Sequence, residues 1–215
     1  MTIAFLGDSI TLGYALDNKK LRYSSLVAEK LGFTEENYGI TGTLIAKAGL
    51  NKEDGKDFVN RVHLIDDADV AVIFGGTNDY FWSDKEINGD DNSYFKHALD
   101  TILYHIKSTR QGKITLVVTP YPHNGVGNFL GGKVWNESSR HDTDAKNYNG
   151  HTLADYANVI ITACELYNIP CLNLFCDFGF DWHIHTSDGC HPNEEGHKVL
   201  SIAIEKKLKE LLNRT

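Results

Sequence analysis

Ile3-Ala4-Phe5-Leu6-Gly7-Asp8-Ser9-Ile10-Thr11, close to the N-terminus, decides how the rest of the chain is read. Its short apolar run reads as a buried strand over about residues 2–6, and Gly7 breaks that strand abruptly. Asp8, Ser9 and Thr11 then stand at the strand's carboxyl end, where open α/β sheets hold their ligands. Ser9 in such a place is a candidate nucleophile if the chain also supplies a base and an oxyanion hole. The simpler alternative is that Asp8 and Ser9 cap whatever follows.

Outward from this stretch, apolar runs and amphipathic segments alternate. Tyr23 to Leu31 has helical spacing and is closed by Gly32, and Phe33 to Tyr38 reads as a second strand. Lys56 to Ile65 fits a helix, and Asp69 to Phe74 is the clearest buried strand, ending in Gly75-Gly76-Thr77-Asn78-Asp79. Tyr80 to Ser93, polar with interleaved aromatics, reads as a loop. Tyr94 to Ser108 is an amphipathic helix, and Lys113 to Thr119 a strand stopped by Pro120-Tyr121-Pro122. His123 to Asn149 is Gly- and Asn-rich, and so long a loop is expected to be a functional lid or partly disordered. His151 to Tyr167 is a helix, Pro170 to Phe175 a fifth strand, Phe178 to Ser187 irregular, and Glu194 to Leu212 a final helix. Five alternations predict an α/β fold: a three-layer α/β/α sandwich around a mostly parallel five-stranded sheet of flavodoxin-like order. No repeat or linker divides residues 1–215, so a single domain is expected.

Composition narrows the function. The 215 residues carry a formal net charge of -8, which argues against a protein that neutralises nucleic-acid phosphates over a broad face. No apolar run approaches the roughly 20 residues that span a bilayer. Met1-Thr2 has no basic region ahead of the first strand, so no leader and a cytoplasmic location are expected. Cys164, Cys171, Cys176 and Cys190 contain no Cys-x-x-Cys pair and read as free thiols in a reducing compartment.

In a parallel sheet, three polar strand ends fall on one edge: Gly7-Asp8-Ser9, Asn37 to Gly42, and Gly75 to Asp79. Asp188-Gly189-Cys190-His191, after the fifth strand, reaches the same edge. Its spacing lets the Asp188 carboxylate turn back onto the His191 Nδ1–H and leaves Nε2 facing a serine. Ser9, His191 and Asp188 then supply the nucleophile, base and orienting carboxylate of acyl transfer. The Ser9 and Gly42 backbone N–H groups and the Asn78 side-chain amide supply an oxyanion hole. Asp79 reads as a loop anchor and Asp8 as a cap on amides near the nucleophile.

These blocks resemble the SGNH hydrolase superfamily, the GDSL-type esterases and lipases. The first block is Gly7-Asp8-Ser9-Ile10-Thr11, with Ile10 where the family name has Leu. The glycine block is Asn37 to Gly42, the asparagine block Gly75 to Asp79, and the last Asp188 to Pro192, all in the expected order. The resemblance implies hydrolysis of an ester, or less often a thioester, with no metal and no organic cofactor. It leaves short-chain esterases, carbohydrate deacetylases, lysophospholipases and acyl-thioesterases open. Trp82, Trp135 and Trp182, expected near the active edge, suit packing or a sugar, so a short-acyl ester or an O-acetylated carbohydrate is the expected substrate.

Two rival classes stand beside this reading. His183, His185, His191 and His197 with Asp181 and Asp188 suggest a metal-dependent hydrolase, a reading that leaves the glycine-bearing strand ends unexplained. A non-catalytic binding module on the same fold is the other, and the complete set Ser9, Gly42, Asn78, Asp188 and His191 argues against it. Cys190, next to the expected base, reads as a packed thiol. Nothing in the sequence sets the oligomeric state.

Overall fold

β1 (Thr2–Gly7), β2 (Thr34–Gly39), β3 (Val70–Phe74), β4 (Ile114–Val118) and β5 (Cys171–Leu172) make one sheet in the order β2-β1-β3-β4-β5, with every pairing parallel. That is the flavodoxin order expected from the alternation of elements. The structure, a computed structural model, describes residues 1–14, 16–47, 55–123, 146–176 and 178–213.

Side chains alternate across the sheet, and the strands are apolar on both sides because both faces are covered. Ile3, Phe5, Val70, Val72, Phe74, Leu116 and Val118 turn to one face. There they pack against α2 (Tyr23–Leu31) and α8 (Glu194–Leu212), through Val27, Leu200, Ile204 and Leu208. Ala4, Leu6, Ala71, Ile73 and Val117 turn to the other, against α3 (Phe58–Arg61), α5 (Phe95–Thr109) and α6 (Leu153–Tyr167). Along α5, Phe95, Ala98, Leu99, Ile102, Leu103 and Ile106 form the apolar stripe. A Thr152–Asp155 capping box starts α6, and Asn168, with φ 51°, ends it in the left-handed region.

Several expected boundaries move. The polar stretch after β3 is not simply a loop: Thr77–Trp82 is a helix, α4. Its polarity misleads because Asn78 and Asp79 are buried by their hydrogen bonds, while Tyr80 and Phe81 enter the core. The segment read as a helix over 56–65 is α3 followed by a 3₁₀ turn over Val62–Ile65. β5 keeps only two residues of the expected six, because the chain then bends so that the Leu174 N–H meets Thr119 Oγ1 at 2.9 Å. The irregular stretch before Asp188 contains α7 (Trp182–His185), and a four-residue helix, α1 (Ser9–Leu12), follows β1 directly. Cys164, Cys171, Cys176 and Cys190 are free thiols. Trp135 and most of the 123–149 stretch lie outside the described residues. Among the described residues no helix is long and apolar enough to cross a membrane.

The first turn of α2 leaves a backbone donor that the helix itself cannot satisfy. His197 of α8, fully buried, accepts it: Tyr23 N–H to His197 Nδ1 is 3.1 Å. An accepting Nδ1 requires a neutral ring. Burial first, then Lys19, Arg22 and His191, push the His197 pKa down to about 3. Unfolded, the same ring takes up a proton near pH 6.5. Below that pH the unfolded state binds a proton the folded state refuses, so this contribution is full above about 6.5 and is lost as pH falls toward about 3. In chemical denaturation, wild type is therefore expected to lose stability relative to His197→Gln between pH 7 and 5, by at most about 1.4 kcal/mol per pH unit. Parallel pH profiles for the two proteins would refute the neutral, helix-capping histidine.

Candidate active site

β1 stops at Gly7 because the next turn folds back on it: a Cβ there would lie 1.9 Å from Thr11 Oγ1. Asp8 then caps α1, its Oδ1 accepting the Ile10 N–H at 2.9 Å, and Ser9 is the first residue of the helix. The capping side chain is thus that of Asp8, and the adjacent Ser9 side chain is left for other contacts. Gly13, in the left-handed region at φ 76°, closes α1. The helix lies across the end of β2 so closely that a Cβ on Gly39 would sit 2.4 Å from Leu12 N. Asn37 Nδ2 donates to Thr11 O at 2.8 Å, and the Thr11 and Tyr23 hydroxyls meet at 2.7 Å.

On the other side of Ser9, the segment before α8 is a narrow loop. Thr186 and Pro192 form an antiparallel bridge, and Ser187 N–H donates to His191 O at 2.8 Å. Inside it, Asp188 Oδ1 accepts the N–H groups of Cys190 (3.0 Å) and His191 (2.7 Å), while Oδ2 meets His191 Nδ1 at 2.7 Å. Burial opposes the charge on Asp188, but the bonds from His191 and Cys190 outweigh it and hold the carboxyl below its ordinary value. With Nδ1 on the carboxylate, His191 carries its proton there and Nε2 accepts; Nε2 lies 3.0 Å from Ser9 Oγ. The loop is pinned from outside. The Tyr121 hydroxyl donates to Cys190 O at 2.6 Å. Asn193 N–H donates to His185 O at 2.9 Å, and Gly196 lets α8 come so near that a Cβ would be 2.1 Å from that carbonyl.

The third wall comes from β2 and β3. Gly42 adopts φ 75°, a conformation that favours glycine. Asn78, in the first turn of α4, donates through Nδ2 to Thr43 O at 3.0 Å, and its amide is 3.5 Å from Asp8 Oδ2. Asp79 accepts the N–H groups of Ile45 (2.8 Å) and Ala46 (3.0 Å) and so anchors the segment that follows Gly42. Among the described residues neither the Ser9 nor the Gly42 N–H has an acceptor within the protein.

Three charged groups lie beneath the site. Burial pushes Asp8 up to about 6 against the Ile10 N–H, His191 and Arg61, and pushes Asp79 up to about 7 against the Ala46 and Ile45 N–H groups. Burial lowers Arg61 to about 10 despite Asp8 and Asp57. Arg61 donates to Tyr38 O (2.6 Å), Gly7 O (3.3 Å) and Thr43 Oγ1 (3.0 Å), tying the ends of β1 and β2 to the glycine loop. Sequence reasoning missed Arg61 and Tyr121. The partners of Arg61 are mostly backbone carbonyls, which leave no side-chain pattern to find.

The other sequence candidates stand apart from this chain of contacts. His183 Nδ1 meets Asp181 Oδ1 at 2.8 Å, and His185 Nδ1 accepts the Asp181 N–H at 2.8 Å. Among the described residues no three His, Cys, Asp or Glu side chains converge on a metal-sized site. Cys190 is buried, and burial with the nearby Asp188 and Asp8 raises its thiol pKa well above the usual value. Trp182 stacks on His183 with ring centroids 3.6 Å apart, and Trp82 packs partly buried against the core.

Known proteins agree with this architecture. The chain is similar to a protein from Lactobacillus plantarum, at 26% identity and a TM-score of 0.77, over 99% of this chain and 96% of that one. A protein from Chitinophaga pinensis, described as a possible lipase, aligns at 18% identity and a TM-score of 0.67 over 98% of each chain. A salicylyl-acyltransferase from a tetracycline biosynthetic pathway shares the fold at 15% identity and a TM-score of 0.68, over 98% of this chain and 54% of that one. A search of curated proteins finds no match. The family model for GDSL-like lipases and acylhydrolases matches residues 5–199, and the chain belongs to that family.

Proposed function

We propose that the protein is a serine ester hydrolase acting on a small or short-acyl ester, an O-acetylated carbohydrate being one such substrate. The observation that carries this reading is the unbroken chain Ser9 Oγ–His191 Nε2–His191 Nδ1–Asp188 Oδ2, at 3.0 and 2.7 Å. His191 takes the Ser9 proton as Oγ attacks the ester carbonyl, and Asp188 fixes the tautomer and steadies the imidazolium. The tetrahedral intermediate collapses as His191 returns the proton to the leaving alcohol. Water, activated by the same imidazole, then releases the acid.

The oxyanion is met by two backbone donors with no other task and by the Asn78 amide. Ser9 N–H is an orphan of the first helical turn, and Gly42 N–H lies in the loop that Arg61 and Asp79 hold. Asn78 has one amide hydrogen on Thr43 O; the other has only Asp8 Oδ2 at 3.5 Å, too long to retain it against a developing alkoxide. No step in this mechanism requires a metal or an organic cofactor.

A fluorophosphonate is expected to label Ser9 in the wild-type protein, detected as a single adduct by mass spectrometry of the intact chain. Ser9→Ala should take up no label and lose roughly 10⁴-fold or more in kcat on p-nitrophenyl acetate. Its thermal midpoint should stay close to wild type; a large drop would make Ser9 a structural residue. Turnover by wild type should persist in EDTA, and a loss that zinc restores would overturn the serine mechanism.

Asn78→Ala should cost about 100–1000-fold in kcat, because an oxyanion donor acts in the transition state. A change confined to KM would remove Asn78 from that role. His191→Ala should be nearly as inactive as Ser9→Ala, and Asp188→Ala should retain more activity because it acts only through His191.

A further inference from the structure

Tyr14 follows the glycine that ends α1, and nothing in the mechanism above uses it. Gly13, at φ 76°, reverses the chain, and the Tyr14 N–H returns to Ser9 O at 2.9 Å. The backbone of Tyr14 is thereby locked to the residue that carries the nucleophile. Its side chain lies against His191, with ring centroids 4.8 Å apart and planes inclined at 44°. Tyr14 remains 57% exposed, so it is not part of the core.

The surroundings of His191 explain why a ring is needed there. Its two nitrogens are held in the plane of the ring, by Asp188 and Ser9. The Asp188 side chain is 48% exposed, so water competes for the bond that orients the imidazole. The titratable groups near it on other elements are Asp8, buried beneath Ser9, and His197, held neutral in the core. Neither covers a face of the ring. Tyr14 does, its ring tilted across the imidazole from the turn that follows the short helix bearing Ser9.

We infer that Tyr14 is a positioning residue for the reaction. It seats the His191 imidazole in line between Asp188 and Ser9, and it screens the Asp188–His191 bond from water. Because Ser9 and Tyr14 belong to one rigid turn, nucleophile and imidazole backstop keep a fixed spacing whatever the 186–192 loop does. The inference rests on the serine-hydrolase reading for its kinetic consequence but not for its structural one.

The test compares wild type with Tyr14→Ala and Tyr14→Phe by two readouts. The first needs no turnover: the low-field proton resonance of His191 Nδ1–H, assigned by its absence in His191→Gln. It should be sharp in wild type and Tyr14→Phe, and broadened by solvent exchange in Tyr14→Ala. The second is kinetics on p-nitrophenyl acetate. Tyr14→Ala should lose about two- to tenfold in kcat with KM little changed, the scale of an aromatic contact, and Tyr14→Phe should restore it. Thermal midpoints should agree among the three, since the ring is surface-exposed. An equally protected Nδ1–H in Tyr14→Ala, or an effect confined to KM, overturns the positioning role. Wild type that shows the protected proton but neither turns over the ester nor takes the fluorophosphonate would instead sink the esterase reading.

Discussion

The contact between Ser9 Oγ and His191 Nε2 joins residues 182 positions apart, and most of the fold is arranged to hold its two ends still. A hydrogen bond of this kind has little net strength of its own, on the order of 1 kcal/mol. It cannot organise a chain; it must be organised. The parallel sheet does this by delivering all strand ends to one edge, so that groups far apart in sequence meet without long connections. Order β2-β1-β3-β4-β5 puts β1 between β2 and β3, with the turn bearing Ser9 between the glycine loop and α4. The last block arrives on α8, packed on the same face as α2, and His197 on α8 bonds the first turn of α2.

Stability is given up beneath the site to obtain this. Asp8, Asp79 and Arg61 are all nearly inaccessible, and burial works against the charge on each. Replacing such groups by apolar ones is often neutral or stabilising in other proteins, so their presence is poorly explained by stability alone. What they do is satisfy backbone. Arg61 gathers carbonyls from the ends of β1 and β2, where the sheet's own hydrogen bonds run out, and Asp79 gathers the N–H groups that follow Gly42.

This explains which parts were legible in the sequence. The sheet was readable because buried parallel strands are continuous apolar runs, and Asp69 to Phe74 has no other plausible environment. The blocks around Ser9, Gly42, Asn78 and His191 were readable because glycine and small polar residues directly after a buried strand have few structural uses. Helix α4 was not, since a buried polar residue and a solvated one look alike in a string of letters, and Asn78 and Asp79 are buried. Arg61 was hidden for a related reason: it was one basic residue on a helix, and its partners are mostly main-chain atoms. Tyr121 sits in Pro120-Tyr121-Pro122, which signals a strand end but not that a phenol reaches Cys190 O in another loop. β5 was over-read because Asn173 to Phe175 continues the composition of a strand while the Leu174 N–H is claimed by a side chain.

The same division of labour recurs at three corners of the site. Asp8 binds the Ile10 N–H and Ser9 faces His191; Asp79 binds Ile45 and Ala46 N–H and Asn78 faces Thr43 O and Asp8. Asp188 does both tasks, one oxygen taking the Cys190 and His191 N–H groups and the other the imidazole. In each case a carboxylate fixes a short run of backbone, and at Asp8 and Asp188 that run carries the polar side chain of the site. At Asp8 and Asp188 aspartate suits the task because its short side chain reaches amides two or three residues on with few rotamers to lose, whereas Asp79 reaches across to a neighbouring segment. Asp8 and Asp79 are buried enough that the backbone N–H groups do not fully offset desolvation, and both carboxyls rise; Asp188, about half open to water, falls. The difference is consistent with their work. The two buried carboxyls serve backbone amides, whereas the Asp188 carboxylate, bonded to the His191 ring, is held toward its charged form.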